Sequence, residues 1–168
     1  QKVTWDCLWF GSYPQKEITE DDGTIYIDLK NTEDWDQKND VTLDGIKYHK
    51  RNGSYFQYKP IKWRVLKKQE GEVFLMADTV LTKKPYNKKK KSVTWEKSTL
   101  RTWLNKNFMN LAFSEEEQAA INQTEMRNKD NIKLGTKGGN KTFDRIFLLS
   151  QSQVYGTTTA EEYGFVKD

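Results

Sequence analysis

Cysteine and histidine are nearly missing from this 168-residue sequence, which carries one of each, Cys7 and His49. A lone thiol excludes a disulfide framework. One His and one Cys also fall short of the nitrogen and sulfur ligands of an ordinary zinc site. Long apolar runs are missing too, since stretches such as Ile146 to Leu149 are far shorter than the ~20 residues that span a bilayer. Aliphatic side chains are scarce: Leu, Ile, Val and Phe total 36 residues, just above the ~20% level under which high charge goes with disorder. What the chain has instead is rings, with 6 Trp, 8 Tyr and 8 Phe. Each can bury ~150–250 Å², enough to build one core. The prior is a single domain over 1–168.

The net charge of +4 conceals a segregation. Residues 17–44 hold ten acids against Lys30 and Lys38, whereas residues 45–107 hold seventeen bases against four acids. The basic pI of about 9.0 therefore comes from one stretch. Such blocks either face each other or stay solvated, and they set solubility and encounter rates.

The turn residues predict the order of elements. Trp5 to Gln15 reads as a strand that ends in a turn at Gly11 and Pro14. Residues from about 17–40 form an acidic, loop-rich insertion, in which Thr24 to Leu29 alternates as a short edge strand. Asp44-Gly45 between Val41-Thr42-Leu43 and Ile46-Lys47-Tyr48 is a two-residue hairpin signal, and Asn52-Gly53 is a second turn. Pro60 to Leu66 alternates, with Ile61, Trp63 and Val65 inward, and pairs with Glu72 to Ala77 across Glu70-Gly71. Leu100, Trp103, Leu104 and Phe108 lie on one helical stripe. Ser114 to Glu117 has the spacing of a capping box for a second helix running to about Gln123. Residues Asn128 to Lys141 read as a mobile loop, Phe143 to Ser150 as a buried strand, and about 157–168 as a poorly anchored polar tail.

The inventory for catalysis is thin. His49 has no flanking signature and reads as an ordinary surface histidine, and Cys7, in an aromatic run, reads as a small hydrophobe. Asp34, Asp36, Asn39 and Asp40 offer oxygen ligands of the kind calcium takes. The loop grammar differs from an EF-hand, however, because Asn39 stands where that loop needs Gly and Gly45 where it needs Glu. The alternative is a solvated acidic loop. Lys83 to Lys91, with Tyr86 inside and Trp95 beyond, combines six ammonium groups and nearby rings, a pattern that attracts polyanions. The run has no Arg for bidentate contacts, which argues against nucleic acid.

Five motifs together resemble a family of bacterial, mostly secreted or surface-attached domains of unknown function, DUF6273. They are Trp9 to Gln15, Asp44-Gly45 with Tyr48, Pro60 to Leu66, Trp95 to Asn105, and Asp144 to Ser150. The resemblance implies an α+β fold with a single mixed or antiparallel sheet and two short helices. It implies kinship with the C-type-lectin-like and formylglycine-generating-enzyme-like group, and an extracellular or cell-surface location. It brings no catalytic residues. The family's Trp-Trp-Leu-Arg-Ser-type and late Gly-Val-Arg-Pro-type motifs do not occur before Asp168, so the chain is expected to be C-terminally incomplete. The missing strands, or another chain, would then complete the sheet.

Most motif residues read as structure. Trp63, Trp103, Leu104, Phe147 and Leu149 are core candidates, and Arg101 and Asn105 should satisfy buried backbone groups or pair with Glu96 or Asp144. The functional expectation is a non-enzymatic binding module for a glycan, cell-wall component or protein. Its candidate contacts are Trp35, Tyr86, Lys88, Lys89, Lys90 and Lys91, with Asp34, Asp36 and Asp40 as the weaker calcium candidates and no other cofactor. The alternatives are an enzyme or enzyme accessory of the formylglycine type, and a polyanion-binding structural domain.

Overall fold

The computed structural model describes residues 4–155 and 163–165, and one strand organises it. β4 (Ser54–Gln69) runs for sixteen residues and pairs along one edge with β1 (Cys7–Ile18). Its other edge is shared: the first part takes β3 (Ile46–Arg51), itself paired with β2 (Asp40–Leu43), and the last part takes β5 (Glu72–Ala77). Every pairing is antiparallel, giving a five-stranded sheet.

Three two-residue turns fold this meander. Asp44-Gly45 has φ of 49° and 76°, Asn52-Gly53 of 52° and 82°, and Glu70-Gly71 of 50° and 80°. Two successive positive φ angles give the turn whose twist matches that of the flanking strands. All three turns stand where the sequence signals placed them.

Helices pack against this sheet at two places. The helical stripe from Leu100 forms α2 (Thr99–Trp103), passes through a π turn at Leu104–Phe108 and continues as α3 (Met109–Ala112). It buries Phe108, Met109 and Ala112 with Tyr13, Ile61 and Phe113, and Trp63, Trp103 and Leu104 pack around them. A second cluster of Ile18, Leu29, Tyr48 and Tyr55 forms under α1 (Thr24–Asn31), with Ile25, Tyr26 and Trp35 at its edge. The capping box at Ser114 opens α4 (Glu115–Ala120), and α5 (Gln151–Tyr155) is the last helix among the described residues. The fold is α+β, as expected, with more short helices than two.

Several local expectations are corrected. Thr24 to Leu29 is helical because Ile25 and Leu29, four apart, share the face that meets the sheet, while Ile27 is exposed. β1 does not turn at Gly11 and Pro14. It passes through both by shifting register between Trp9 and Ser12 and again between Pro14 and Lys16, and irregularities of this kind tolerate a residue without an N–H. The second helix ends at Ala120, three residues early. The loop after it is partly ordered, with a 3-10 turn at Ile132–Leu134 and an Asn131–Thr136 bridge.

Phe143 to Ser150 is not a buried strand, and the sheet is not single. Only β7 (Thr142–Asp144) is extended, pairing with β6 (Thr124–Met126) in a separate two-stranded sheet. Thr142 and Asp144 point inward while Phe143 and Leu148 are exposed, so the apolar run splits between faces. Phe147 stacks on Phe74. Of the polar tail, residues 157–162 and 166–168 lie outside the described residues, but Tyr163 packs on Phe74 and its carbonyl accepts from Trp5 Nε1 at 2.9 Å. No described helix is long and apolar enough to cross a membrane.

Gly11 has φ of 70°, and a Cβ there would stand 2.5 Å from the Phe113 ring and 2.7 Å from the Ala112 carbonyl oxygen. Gly11→Ala should therefore combine backbone strain with overpacking and lower stability by about 2–4 kcal/mol. Urea unfolding followed by Trp fluorescence measures it, and an unchanged midpoint would refute this packing of β1 on α3.

Candidate functional site

The acidic segment folds as one piece against the outer edge of the sheet. α1 delivers the chain to Asn31. The Thr32 carbonyl accepts Trp35 Nε1–H at 2.9 Å, and Asp36 Oδ1 accepts the backbone N–H groups of Lys38 and Asp40 at 2.7 and 2.8 Å. These bonds close a tight loop that ends where β2 begins. The loop and β2 flank an open cleft of about 760 Å³ whose lining includes Glu33, Asp34, Asp36, Asp40 and Lys47. That volume lies within the ~300–1,000 Å³ of small-ligand sites.

Asp40 forms the floor. It is only 4% exposed, and an ionised carboxylate so placed requires compensating hydrogen bonds. Oδ1 lies 2.8 Å from His49 Nδ1 and accepts from the Tyr58 hydroxyl at 2.9 Å. Oδ2 meets Lys47 Nζ at 2.8 Å and the same hydroxyl at 3.1 Å. An aspartate acceptor selects the His49 tautomer with its proton on Nδ1. Burial pushes the Asp40 pKa up, but hydrogen bonds from His49, Lys47 and Tyr58 outweigh it and hold the carboxyl below its ordinary value. Burial and the Asp40 charge together drive the Tyr58 phenol well above its usual range. The Lys47 ammonium also lies over the Tyr58 ring, 4.4 Å from its centroid.

The rim is different. Glu33, Asp34 and Asp36 take part in none of the ion pairs formed among the described residues. Three carboxylates thus border the cleft without a counter-ion, above a fourth that is fully engaged. A carboxylate accepts about four hydrogen bonds, and three donors, His49, Lys47 and a Tyr58 hydroxyl shared between both oxygens, already engage Asp40. Among the described residues no three His, Cys, Asp or Glu side chains are grouped to hold a metal ion.

The sequence-predicted contacts do not converge. Asp34, Asp36 and Asp40 share the cleft. Trp35, in contrast, belongs to the second apolar cluster, stacked on Tyr55 at 5.7 Å, with the Lys50 ammonium 5.6 Å from its ring centroid. Tyr86 packs on Trp95 at 6.2 Å, beside the start of α2, and burial raises its phenol pKa against a hydrogen bond from Ser98. Lys88, Lys89, Lys90 and Lys91 are exposed, on a loop whose backbone is tied to α2 through Lys88 N–H to Thr99 Oγ1 at 2.9 Å.

His49 was missed as a buried residue. It is 8% exposed, one strand position across from Asp40 in the β2–β3 register. The signal was present: once Asp44-Gly45 defines the hairpin, counting back pairs Asp40 with His49. Cys7 is exposed rather than held in an apolar run.

A family profile described as a domain of unknown function (DUF6273) matches residues 70–167, more than half of the chain, and the chain belongs to that family. The Trp95 to Asn105 and Asp144 to Ser150 motifs lie inside the matched stretch, and the three earlier motifs lie before it. No curated protein and no solved structure matches the chain.

Because its folded-state pKa is depressed, Asp40 contributes stability above its unfolded value of ~3.9 and loses that contribution as pH falls through the folded value. Asp40→Asn should cost about 2 kcal/mol at pH 7, since His49, Lys47 and Tyr58 lose a shared acceptor. The gap to the wild type should close below pH ~4. Urea unfolding of both proteins across pH 2–7 checks this; a pH-independent gap would be inconsistent with an ionised Asp40.

Proposed function

We propose that this DUF6273 domain is a non-enzymatic binding module of a bacterial surface or secreted protein, and that its acidic cleft takes a protein segment presenting ammonium or guanidinium groups. One observation carries the reading: three carboxylates without ion pairs border an open cleft whose buried carboxylate, Asp40, is engaged through both oxygens by His49, Lys47 and Tyr58. Rim charges with no ion-pair partner are available to a cationic ligand, and they raise its encounter rate. The extracellular setting and a kinship with C-type-lectin-like and formylglycine-generating-enzyme-like scaffolds belong to the same reading. An antiparallel sheet that carries long polar excursions suits such a role.

The Asp40–His49 pair favours one second reading, catalysis, because a carboxylate that orients a histidine is the usual support of a general base. Against it, His49 is itself buried beneath the sheet edge and is not part of the cleft lining.

Titration with a Lys-rich decapeptide, followed by NMR shifts of the residue 31–47 amides, tests the proposal. The triple variant Glu33→Gln, Asp34→Asn, Asp36→Asn should bind at least tenfold more weakly, and added salt should weaken binding to the wild type. Equal affinity in the triple variant, or equal binding of a Glu-rich decapeptide, would overturn it.

A further inference from the structure

A second cleft lies at the other side of the sequence's charge division. It measures about 410 Å³ and lies between α2 with its π-turn extension and the chain around β7. Its one acid, Asp144, is 1% exposed and engaged inward: Oδ1 accepts Arg101 Nε–H at 2.7 Å, and Oδ2 accepts from Trp95 Nε1 at 2.9 Å and Thr142 Oγ1 at 2.7 Å. Lys106 and Arg145 line the same cleft, are exposed, and make no ion pair among the described residues.

One side chain ties together the two backbone segments that carry these cations. Asn105, next to Lys106, accepts the N–H groups of Arg145 and Ile146 through Oδ1 at 2.8 and 3.2 Å, and donates through Nδ2 to the Ile146 carbonyl at 2.8 Å. The amide therefore clamps the helix to the segment that carries Arg145. Asp144 is engaged inward, so two solvated cations at this cleft leave positive charge to an external anion. The Arg145 guanidinium is a planar fork that matches a carboxylate, and Lys106 adds a point charge. Phe143, 48% exposed, lines the same cleft with Lys141 Nζ 5.4 Å from its ring centroid, and Gln123, whose Nε2 lies 3.5 Å from the Phe143 carbonyl, lines it too. A ring, an amide and two cations suit a sugar that bears carboxylates, with one face on the ring and its hydroxyls hydrogen-bonded.

We propose that the Lys106–Arg145 cleft binds a carboxylated saccharide. The site is separate from the acidic cleft and from the Lys88–Lys91 loop. Calorimetric titration of the full chain with trigalacturonate, with its carboxyl-reduced neutral counterpart and with AMP tests this. Trigalacturonate should bind, the neutral sugar at least tenfold more weakly, and AMP more weakly than trigalacturonate. Lys106→Ala with Arg145→Ala should reduce affinity at least tenfold without lowering the thermal midpoint, and Lys106→Arg should retain it. The Glu33, Asp34 and Asp36 triple variant should leave this binding intact, which separates its failure from that of the acidic cleft. Absence of trigalacturonate binding, equal binding of the neutral sugar, preference for AMP, or loss on replacing Lys88–Lys91 by Ser instead of Lys106 and Arg145 would each overturn the proposal.

Discussion

A carboxylate removed from water must recover its lost hydrogen bonds from the protein, and two buried aspartates impose that requirement on this fold. Asp40 recovers them from Lys47 and His49 on β3 and Tyr58 on β4, so one side chain joins three neighbouring strands. Asp144 recovers them from Arg101 on α2, Trp95 before it and Thr142 beside it, and so ties the two-stranded sheet to the helix. The chain is poor in aliphatic residues, and at both places a polar hub does what additional apolar contact would do in a richer core. Such hubs fix geometry more than they add stability, because desolvation offsets much of the attraction.

Each hub also decides which charges remain available. Asp40 engages Lys47 and leaves Glu33, Asp34 and Asp36 as an uncompensated rim. Asp144 engages Arg101 and leaves Lys106 and Arg145. The two clefts thus acquire opposite signs from the same mechanism: the inward partner is neutralised and the outward neighbours are not.

Where a signal depended on near neighbours it could be read from the residues. Asp44-Gly45, Asn52-Gly53 and Glu70-Gly71 each demand positive φ locally, and the Ser114 capping box is satisfied within four residues. Arg101 and Asn105 were legible as groups that satisfy buried backbone or pair with Glu96 or Asp144, and the structure decides between these: Arg101 takes Asp144, and Asn105 the backbone of Arg145 and Ile146. Burial that depends on distant packing was not legible. Ile25 and Ile27 suit a strand as well as a helix, and only the position of Leu29 against Tyr48 and Tyr55 decides it. Phe143 to Leu149 looked like a strand because apolar count does not reveal that alternate rings face solvent. Trp35 looked available for a ligand, but Tyr55, twenty residues on, already stacks on it.

The acidic and basic blocks were open to two readings, facing each other or staying solvated, and the ion pairs separate them. Among the described pairs, the ones that join residues 17–44 to residues 45–107 are those of Lys47 and His49 with Asp40. Lys62 and Arg64 turn instead to Asp78 within their own block, Lys68 to Asp6, and Arg101 to Asp144. Blocks that faced each other would show many cross-pairs, since opposite charges within ~4 Å seek one another even at a surface. Among the described ion pairs, the blocks meet only at Asp40. Solvated charge of one sign beside a concave surface is the condition under which a protein's field concentrates a ligand of the other sign, and this chain meets that condition twice, with opposite polarity.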